Sequence, residues 1–401
     1  MQTQFDIVVV GGGVTGNASA LGLAQTGARV AHICLDASAP SNDALDARIY
    51  ALSNPNVSLL KRLRVWDALD TARMCSVSDM RIMGDSVKST SGMVGNLRFS
   101  AYDTDMTELA WIVEQNNIQK ALQMALRFVP NITTFRTNAS SLNVRDHGID
   151  VTTHNGDVLS ASLLVGADGA HSWTRQAHQI EHTFFDYEQH GVVANFSCEK
   201  PHFNCAHQWF FNNGDVLALL PLPNQCVSMV YSCENPISTH IMSMNDFELA
   251  KHVSELSHEV LGVLATVTSA QAFPLKRMLA KKFIAPHTLL IGDAAHTVHP
   301  LAGQGLNLGL QDLSTWLDLM VQREPHRSIN DPVILRRYER ARLAPTMEMQ
   351  GVTHALNQLF QSPHPIVRHA RNVGMSLLDA APPLKRRLIK AAMGQQPIDT
   401  L

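Results

Sequence analysis

Cysteine is scarce in this chain and scattered. Cys34, Cys75, Cys198, Cys205, Cys226 and Cys233 form no CxxC pair, which argues against a disulfide framework and against a zinc or iron–sulfur site; the six are read as reduced thiols. Long apolar runs are also missing. No stretch reaches the roughly 18 uninterrupted apolar residues of a membrane span. The opening MQTQFDIVVVGGG has no basic residue ahead of its apolar run and breaks into glycines, so it reads as a strand and not as a secretory signal. A cytoplasmic protein is the expectation. Nineteen histidines are present without any HExxH arrangement, and no metal site is expected. A net charge of −3 gives no global basic field of the kind that marks nucleic-acid binders.

That small net charge is unevenly spread. Twelve of the 32 Lys and Arg, but only six of the 35 Asp and Glu, lie from Arg323 onward. Such a segment is either a solvated helix face or a surface that docks on an anionic membrane or a partner. With 401 residues and 45% apolar content, the chain is long enough for two interlocked domains and a large buried cofactor.

The chain opens as FDIVVV, GGGVTG, an Ala/Leu-rich run to Gln25 and ARVAHIC, the strand–turn–helix–strand start of a doubly wound nucleotide-binding fold. Helical spacing predicts helices over 56–69, 113–128 and 245–264. Scattered β-formers predict a strand pair within 76–108, and ITTFRT, SLNVRDHGIDVTTHNG and LSASLLVGADG read as strands with a hairpin turn at 154–157. Residues 181–275 are mostly alternating strand. HTLLIGDAAH is a further buried strand, GQGLNLGLQDLSTWLDLM a helix, and the remainder helical with breaks at Pro363, Pro365, Pro382 and Pro383.

Three constellations carry the chemistry. Gly11-x-Gly13-x-x-Gly16 lies between strand and helix, where glycines permit a tight turn, close approach to a pyrophosphate and close helix packing; this predicts a dinucleotide site without separating FAD from NAD. GADGAHSWTR, with Asp168, Ser172 and Arg175, is a strand end followed by a turn. LIGDAAHTVHPLAGQGLNLGLQD places Asp293 at the end of a buried strand, able to accept from hydroxyls, and leads through glycines into a helix whose N-terminus favours negative charge. His296 and His299 are either acid–base groups or braces of that loop. Trp209 to Phe211 and Met242 to Met244 either floor an apolar pocket or fill the core of a sheet.

The ordered set GGGVTG, DARIYALS, VEQNN, GADGAHS and GDAAHTVHPLAGQGLNLGLQD resembles the ubiquinone-biosynthesis hydroxylases, aromatic flavoprotein monooxygenases related to p-hydroxybenzoate hydroxylase. The resemblance implies an α/β fold: a Rossmann-like FAD-binding domain assembled from 1–75, 101–180 and 276–340, an antiparallel-sheet substrate domain from 76–100 and 181–275, and a helical C-terminal region over 341–401. It implies bound FAD, NAD(P)H as a transient reductant and O2 as co-substrate, with a flavin hydroperoxide hydroxylating the ring of a small hydrophobic aromatic substrate, a polyprenylated ubiquinone precursor. Arg48 would lie against the FAD phosphates, Gln115 near the ribose or pyrophosphate, Asp168 by the crevice where FAD and NAD(P)H both approach, and Asp293 on the ribityl chain. Gly303, Gln304, Gly305 and Leu306 would line the isoalloxazine, with Asn307 behind them. Pro300 and His299 would stand with Gly303 and Gln304 at the reacting end. One departure is that Cys34 occupies the place where the family carries an acidic residue for the adenosine ribose; either Asp36 takes that role or the contact is lost. A reductase limited to hydride transfer and a noncatalytic FAD-binding subunit of a quinone-biosynthesis complex stay open, as do self-association and peripheral contact with a membrane surface. A flavin halogenase is disfavoured because no WxWxIP segment occurs.

Overall fold

The computed structural model describes residues 2–35, 45–84, 96–104, 106–211, 213–298, 304–361 and 386. The apolar runs IVVV, VAHI, LLVG and TLL form the strands Ile7–Val10, Val30–Ile33, Leu163–Gly166 and Thr288–Leu290, with every residue buried. Runs without polar alternation suit strands covered on both faces, as in parallel sheets. They lie in a six-stranded sheet ordered Ile284–Ala285, Thr288–Leu290, Leu163–Gly166, Ile7–Val10, Val30–Ile33, Ile132–Phe135. All neighbours pair parallel except the edge strand Ile284–Ala285. Three separated parts of the chain thus build one sheet, as the sequence reading expects.

The helices among the described residues are α1 Val14–Gln25, α2 Asn54–Arg62, α3 Gln115–Arg127, α4 Trp173–Ala177, α5 Asn235–Ser243, α6 Asp246–Leu256, α7 Gln304–Val321 and α8 Pro332–Gln361. One face of the parallel sheet, with Ile7, Val9, Val165 and Leu289, packs with Leu21 of α1, Leu60 of α2, Leu122 of α3, Trp316 of α7 and Tyr338 of α8. Trp316 and Tyr338 are fully buried and meet edge-on at 5.7 Å, an arrangement worth about 0.5–1.5 kcal/mol beyond burial. The other face, with Val8, Val10 and Leu164, meets Ile149, Val151 and Leu159 of a four-stranded sheet made of Gln2–Gln4, Val158–Ala161, Gly148–Thr153 and Ala139–Arg145.

A nine-stranded sheet draws on 79–100 and 182–297. Its order is His296–Thr297, Gln271–Ala280, His182–Cys198, Cys226–Glu234, Val216–Leu222, Cys205–Phe210, Asp79–Met83, Asn96–Ser100, with Leu264–Thr266 paired beside His182–Cys198. Helices α5 and α6 cover one face, where Ile241, Leu249 and Val253 meet Val192, Trp209, Leu217 and Met229. Trp209 is therefore sheet core. The opposite face rests partly on a three-stranded sheet of Ile49–Leu52, Ala110–Glu114 and Met74–Val77.

Three sequence expectations shift. The helix expected over 113–128 begins only at Gln115, because Ala110–Glu114 is a strand paired on both sides. The helix expected over 56–69 runs from Asn54 to Arg62; the chain turns at Arg64, with φ of 59°, and a short 3-10 turn, Trp66–Ala68, follows. The helix expected over 245–264 stops at Leu256, and α5 precedes it; the capping box of Asn245 and Glu248 starts α6 where the sequence reading put it. The breaks at Pro363, Pro365, Pro382 and Pro383 lie outside the described residues. No described helix is long and apolar enough to cross a membrane.

Candidate cofactor and active site

The glycine turn is built by close contact. Gly11 has φ of +134°, and a Cβ there would fall 2.1 Å from the Ala167 carbonyl oxygen. A Cβ at Gly16 would fall 2.1 Å from the Gly11 oxygen, so no larger residue lets α1 approach the turn this closely. Gly13 differs: among the described residues nothing lies within 4 Å of its Cβ position. It is also the N-cap of α1, and no described side chain caps that helix. First-turn N–H groups without a side-chain cap fit a pyrophosphate. Three side chains brace the turn. His32 Nε2 donates to the Gly11 carbonyl at 2.7 Å, and Asn17 and Gln119 donate to the Gly12 carbonyl at 3.1 and 2.6 Å. Burial pushes the His32 imidazole below its ordinary pKa, partly opposed by the Gly11 bond. The sequence offered no signal for Gln119, whose partner lies over a hundred residues away.

The second strand ends at Ile33, whose carbonyl accepts from Gly11 N–H at 2.9 Å. Cys34 follows at once, half-buried, with its Cβ 2.9 Å from the Cβ position of Gly12. Its thiol therefore stands beside the glycine turn, where the resemblance places a carboxylate. Asp36 lies outside the described residues.

Arg48, Tyr50 and Gln115 are brought together by the pairing of Ile49–Leu52 with Ala110–Glu114. Gln115 N–H donates to the Arg48 carbonyl at 3.0 Å, and Tyr50 Oη donates to Gln115 Oε1 at 2.8 Å. Burial, reinforced by nearby Asp293, pushes the Tyr50 phenol up to about 12, with Arg48 opposing. The exposed Arg48 guanidinium sits over the Phe273 ring at 4.2 Å. Asp46 ties the segment down, accepting from Arg48 N–H and Asn116 N–H at 3.0 and 3.1 Å. The fully buried Glu114 accepts from Asp46 N–H and pairs with Arg73 at 2.5 Å.

Asp293 projects from a short 3-10 turn, Gly292–Ala294, just beyond the buried strand. Its side chain is open to solvent but crowded by protein on its other sides, and that burial, with Asp312 nearby, raises its carboxyl pKa against the opposing pull of His296. Gly292 has φ of +64°, and its Cα lies 3.0 Å from the Cβ position of Gly309 on α7, with Thr15 of α1 alongside. The two glycine-bearing motifs are thus in contact. Asp168 turns inward: it accepts from Ser172 Oγ at 2.6 Å and from Thr174 N–H and Oγ1 at 2.8 and 3.0 Å, bracing its own turn. Arg175 joins that turn to the next motif, donating to the Ala294 and Ala170 carbonyls at 2.8 and 2.7 Å.

Helix α7 is described from Gln304; among the described residues nothing lies within 4 Å of the Cβ position of Gly305, and Leu306 is half-buried. Asn307 is 2% exposed. Its Oδ1 accepts from Ser53 N–H at 3.0 Å and Asn56 Nδ2 at 2.7 Å, and its Nδ2 donates to the Ala51 carbonyl at 2.7 Å. Its side chain thus pins α7 to the DARIYALS segment, and its backbone carbonyl accepts from Asn56 Nδ2 at 3.1 Å. His296 is fully buried against Asp312 at 2.6 Å and braces the loop. His299, Pro300 and Gly303 lie outside the described residues.

On the other side, half-buried Val193, Val230 and Ala218 face one another across three adjoining strands. They form an apolar strip beside Asn195, which donates to the Asp46 carbonyl at 3.0 Å. Sequence reading missed this strip because its residues look like any alternating strand.

A family model described as FAD binding domain matches residues 4–349. The 3-demethoxyubiquinol 3-hydroxylase of Escherichia coli (strain K12) is 33% identical over 394 residues, covering 97% of this chain and 98% of that one. Ubiquinone hydroxylase UbiL of Rhodospirillum rubrum is 27% identical over 398 residues, covering 97% of this chain and 89% of its own. Among solved structures, P. aeruginosa PqsL in complex with 2-aminobenzoylacetate superposes with a TM-score of 0.77 at 19% identity, over 93% of this chain and 100% of that one. Klebsiella pneumoniae HpxO complexed with FAD and uric acid gives 0.72 at 15% identity, over 98% and 96%. With a glycine turn open to a pyrophosphate, Asp293 presented to solvent beside it and these relatives matching nearly end to end, the chain belongs to the ubiquinone-biosynthesis hydroxylase family of FAD-dependent monooxygenases.

Proposed function

We propose that this enzyme hydroxylates an aromatic ring of a polyprenylated ubiquinone precursor, consuming NAD(P)H and O2. The observation that carries the reading is the likeness to a 3-demethoxyubiquinol 3-hydroxylase across 97% of the chain. The residues present fit FAD. The uncapped start of α1 and the open side of Gly13 would take the pyrophosphate, Arg48 would neutralise phosphate charge, and Asp293 would accept from ribityl hydroxyls. FAD, when bound, supplies the electron transfer and oxygen activation.

The protein's part is placement. The N-terminal turn of α7, with Gly305 and Leu306, would face the flavin ring and favour negative charge there. The strip of Val193, Ala218 and Val230 would receive the apolar ring and the start of its prenyl chain, and the sheet around it would keep water out. The nine-stranded sheet then acts as the substrate domain and the parallel sheet as the cofactor domain.

The test is turnover of a short-chain demethoxyubiquinol analogue by FAD-loaded enzyme under 18O2 with NADH or NADPH. A product heavier by one labelled oxygen is expected. Reductant consumption with an unoxygenated product would make the protein a reductase, and no substrate-dependent consumption would leave it a noncatalytic FAD-binding subunit.

A further inference from the structure

Helix α8 sends four polar side chains toward the segments around Asp293, three onto backbone and one onto the Asp312 carboxylate. Tyr338 Oη donates to the Leu290 carbonyl at 2.7 Å, and Glu339 accepts from Phe283 N–H at 2.9 Å. Arg342 Nε donates to Asp312 Oδ1 at 2.6 Å, and Gln350 Nε2 donates to the Met278 and Thr297 carbonyls at 3.0 and 3.1 Å. Only one of these contacts leads on to the turn itself. Asp312 Oδ2 accepts from Gly292 N–H at 2.9 Å and from His296 Nε2 at 2.6 Å. The carboxylate and imidazole are fully buried and Arg342 nearly so.

Burial alone would push Asp312 up, but His296, Arg342 and the Gly292 N–H together hold it below the usual carboxylate range. A buried ion pair by itself is weak evidence for a role, since an apolar replacement is often as stable. What distinguishes this one is its third partner. Gly292 stands in the left-handed region at φ +64°, and its N–H bond fixes the turn from which Asp293 projects. Among the described residues His296 Nδ1 has no hydrogen-bond partner, so the ring is held at its Nε2 by Asp312.

We infer that Asp312, held by Arg342, is a positioning residue for the cofactor: it sets the Gly292–Asp293 turn and thereby aims the Asp293 carboxylate, so FAD retention depends on two side chains that are themselves closed to solvent. This rests on the reading of Asp293 as a contact to FAD. It also gives α8, the part of the chain least like a motif in sequence, a defined task at the site.

The experiment titrates FAD into the apoprotein by fluorescence quenching, with thermal midpoints and the visible spectrum of the bound flavin recorded on the same samples. Asp312→Leu, which leaves no acceptor for the Gly292 N–H, is expected to weaken FAD by at least about tenfold and to shift the spectrum of what binds. Asp312→Leu strands the Arg342 charge, so the double variant Asp312→Leu/Arg342→Met is made as well; it should recover thermal stability but not FAD affinity. Tyr338→Phe, which removes a buried bond from the same helix but reaches no atom of the turn, should lower the midpoint and leave affinity unchanged. Wild-type affinity in the double variant, alongside weakened binding by Asp293→Ala, would overturn the positioning role alone. Unchanged affinity in Asp293→Ala would overturn the reading of Asp293 and this inference with it.

Discussion

Replacing Cys34 with glutamate should tighten FAD binding. The thiol stands directly after the Val30–Ile33 strand, against Gly12 and half-buried, where the proposed site needs an acceptor for the adenosine ribose hydroxyls. A neutral thiol accepts weakly, whereas hydrogen bonds to a charged group contribute about 1.5–3 kcal/mol. Two costs reduce that gain. A carboxylate at a half-buried position loses part of its hydration. His32, whose Nδ1 lies 3.9 Å from the sulfur, is held toward its neutral form by burial and offers little compensating charge. About 1 kcal/mol of loss leaves a net gain near 1.4 kcal/mol, or about tenfold in affinity. Fluorescence titration of wild type, Cys34→Glu and Asp36→Ala at one salt concentration decides the matter: the first substitution should tighten binding and the second change it little. If Asp36→Ala loosens FAD strongly while Cys34→Glu has no effect, the ribose contact belongs to Asp36 and the reasoning fails.

Gly13→Val should leave the apoprotein's thermal midpoint nearly unchanged, because Gly13 is extended and its Cβ position is open, yet weaken FAD by an order of magnitude or more; equal affinity in the two proteins would remove the pyrophosphate from this turn. His207, 4% exposed and pushed by burial from 6.5 down to about 4, stays neutral in the folded protein while the unfolded chain takes up a proton, so stability should fall as pH drops from 6.5 to 4. At about 1.4 kcal/mol for each tenfold change in proton affinity, that loss is at most a few kcal/mol, and His207→Phe should lose less between pH 7.5 and 4.5 in thermal unfolding; an identical loss would refute the assignment. The basic segment around Lys385, Arg386, Arg387 and Lys390 should bring the protein down with anionic vesicles at low salt and release it as salt rises; failure to sediment at low salt rules out the membrane.

The parts of the site that sequence made legible are those where one residue type is forced by local backbone geometry. Gly11 and Gly16 cannot carry a Cβ because other backbone lies 2.1 Å away, and Asp293 lies three residues past a wholly buried strand. Spacing alone reveals such constraints. The residues that hold these pieces together were not legible, because their partners are distant in sequence: Gln119 meets Gly12, Asn307 meets Ser53 and Asn56, and Arg342 meets Asp312. The strand Ala110–Glu114 was hidden for a related reason. Ile112 and Val113 run directly into α3, and only pairing with Ile49–Leu52 and Met74–Val77 makes them a strand. Trp209 could be either pocket or core in the sequence, and the choice was made by α5 and α6 packing on its side of the sheet.

The two large sheets are not independent around the proposed site. The strand His296–Thr297, which closes the nine-stranded sheet, leaves the Asp293 turn within three residues, and it pairs with Met278 and Leu279 of the strand Gln271–Ala280. Ala280 N–H donates to the Ala295 carbonyl at 2.8 Å, extending that pairing toward the turn. The same strand carries Phe273, on which the Arg48 guanidinium rests. One strand of the proposed substrate sheet therefore touches both the arginine proposed for the FAD phosphates and the backbone that carries Asp293. Close-packed elements of this kind shift as units and do not deform residue by residue. On the proposed reading, a substrate seated against Val193, next in the sheet to Gln271, would bear on the cofactor's supports through two short connections, a route by which ring binding and flavin placement would affect each other.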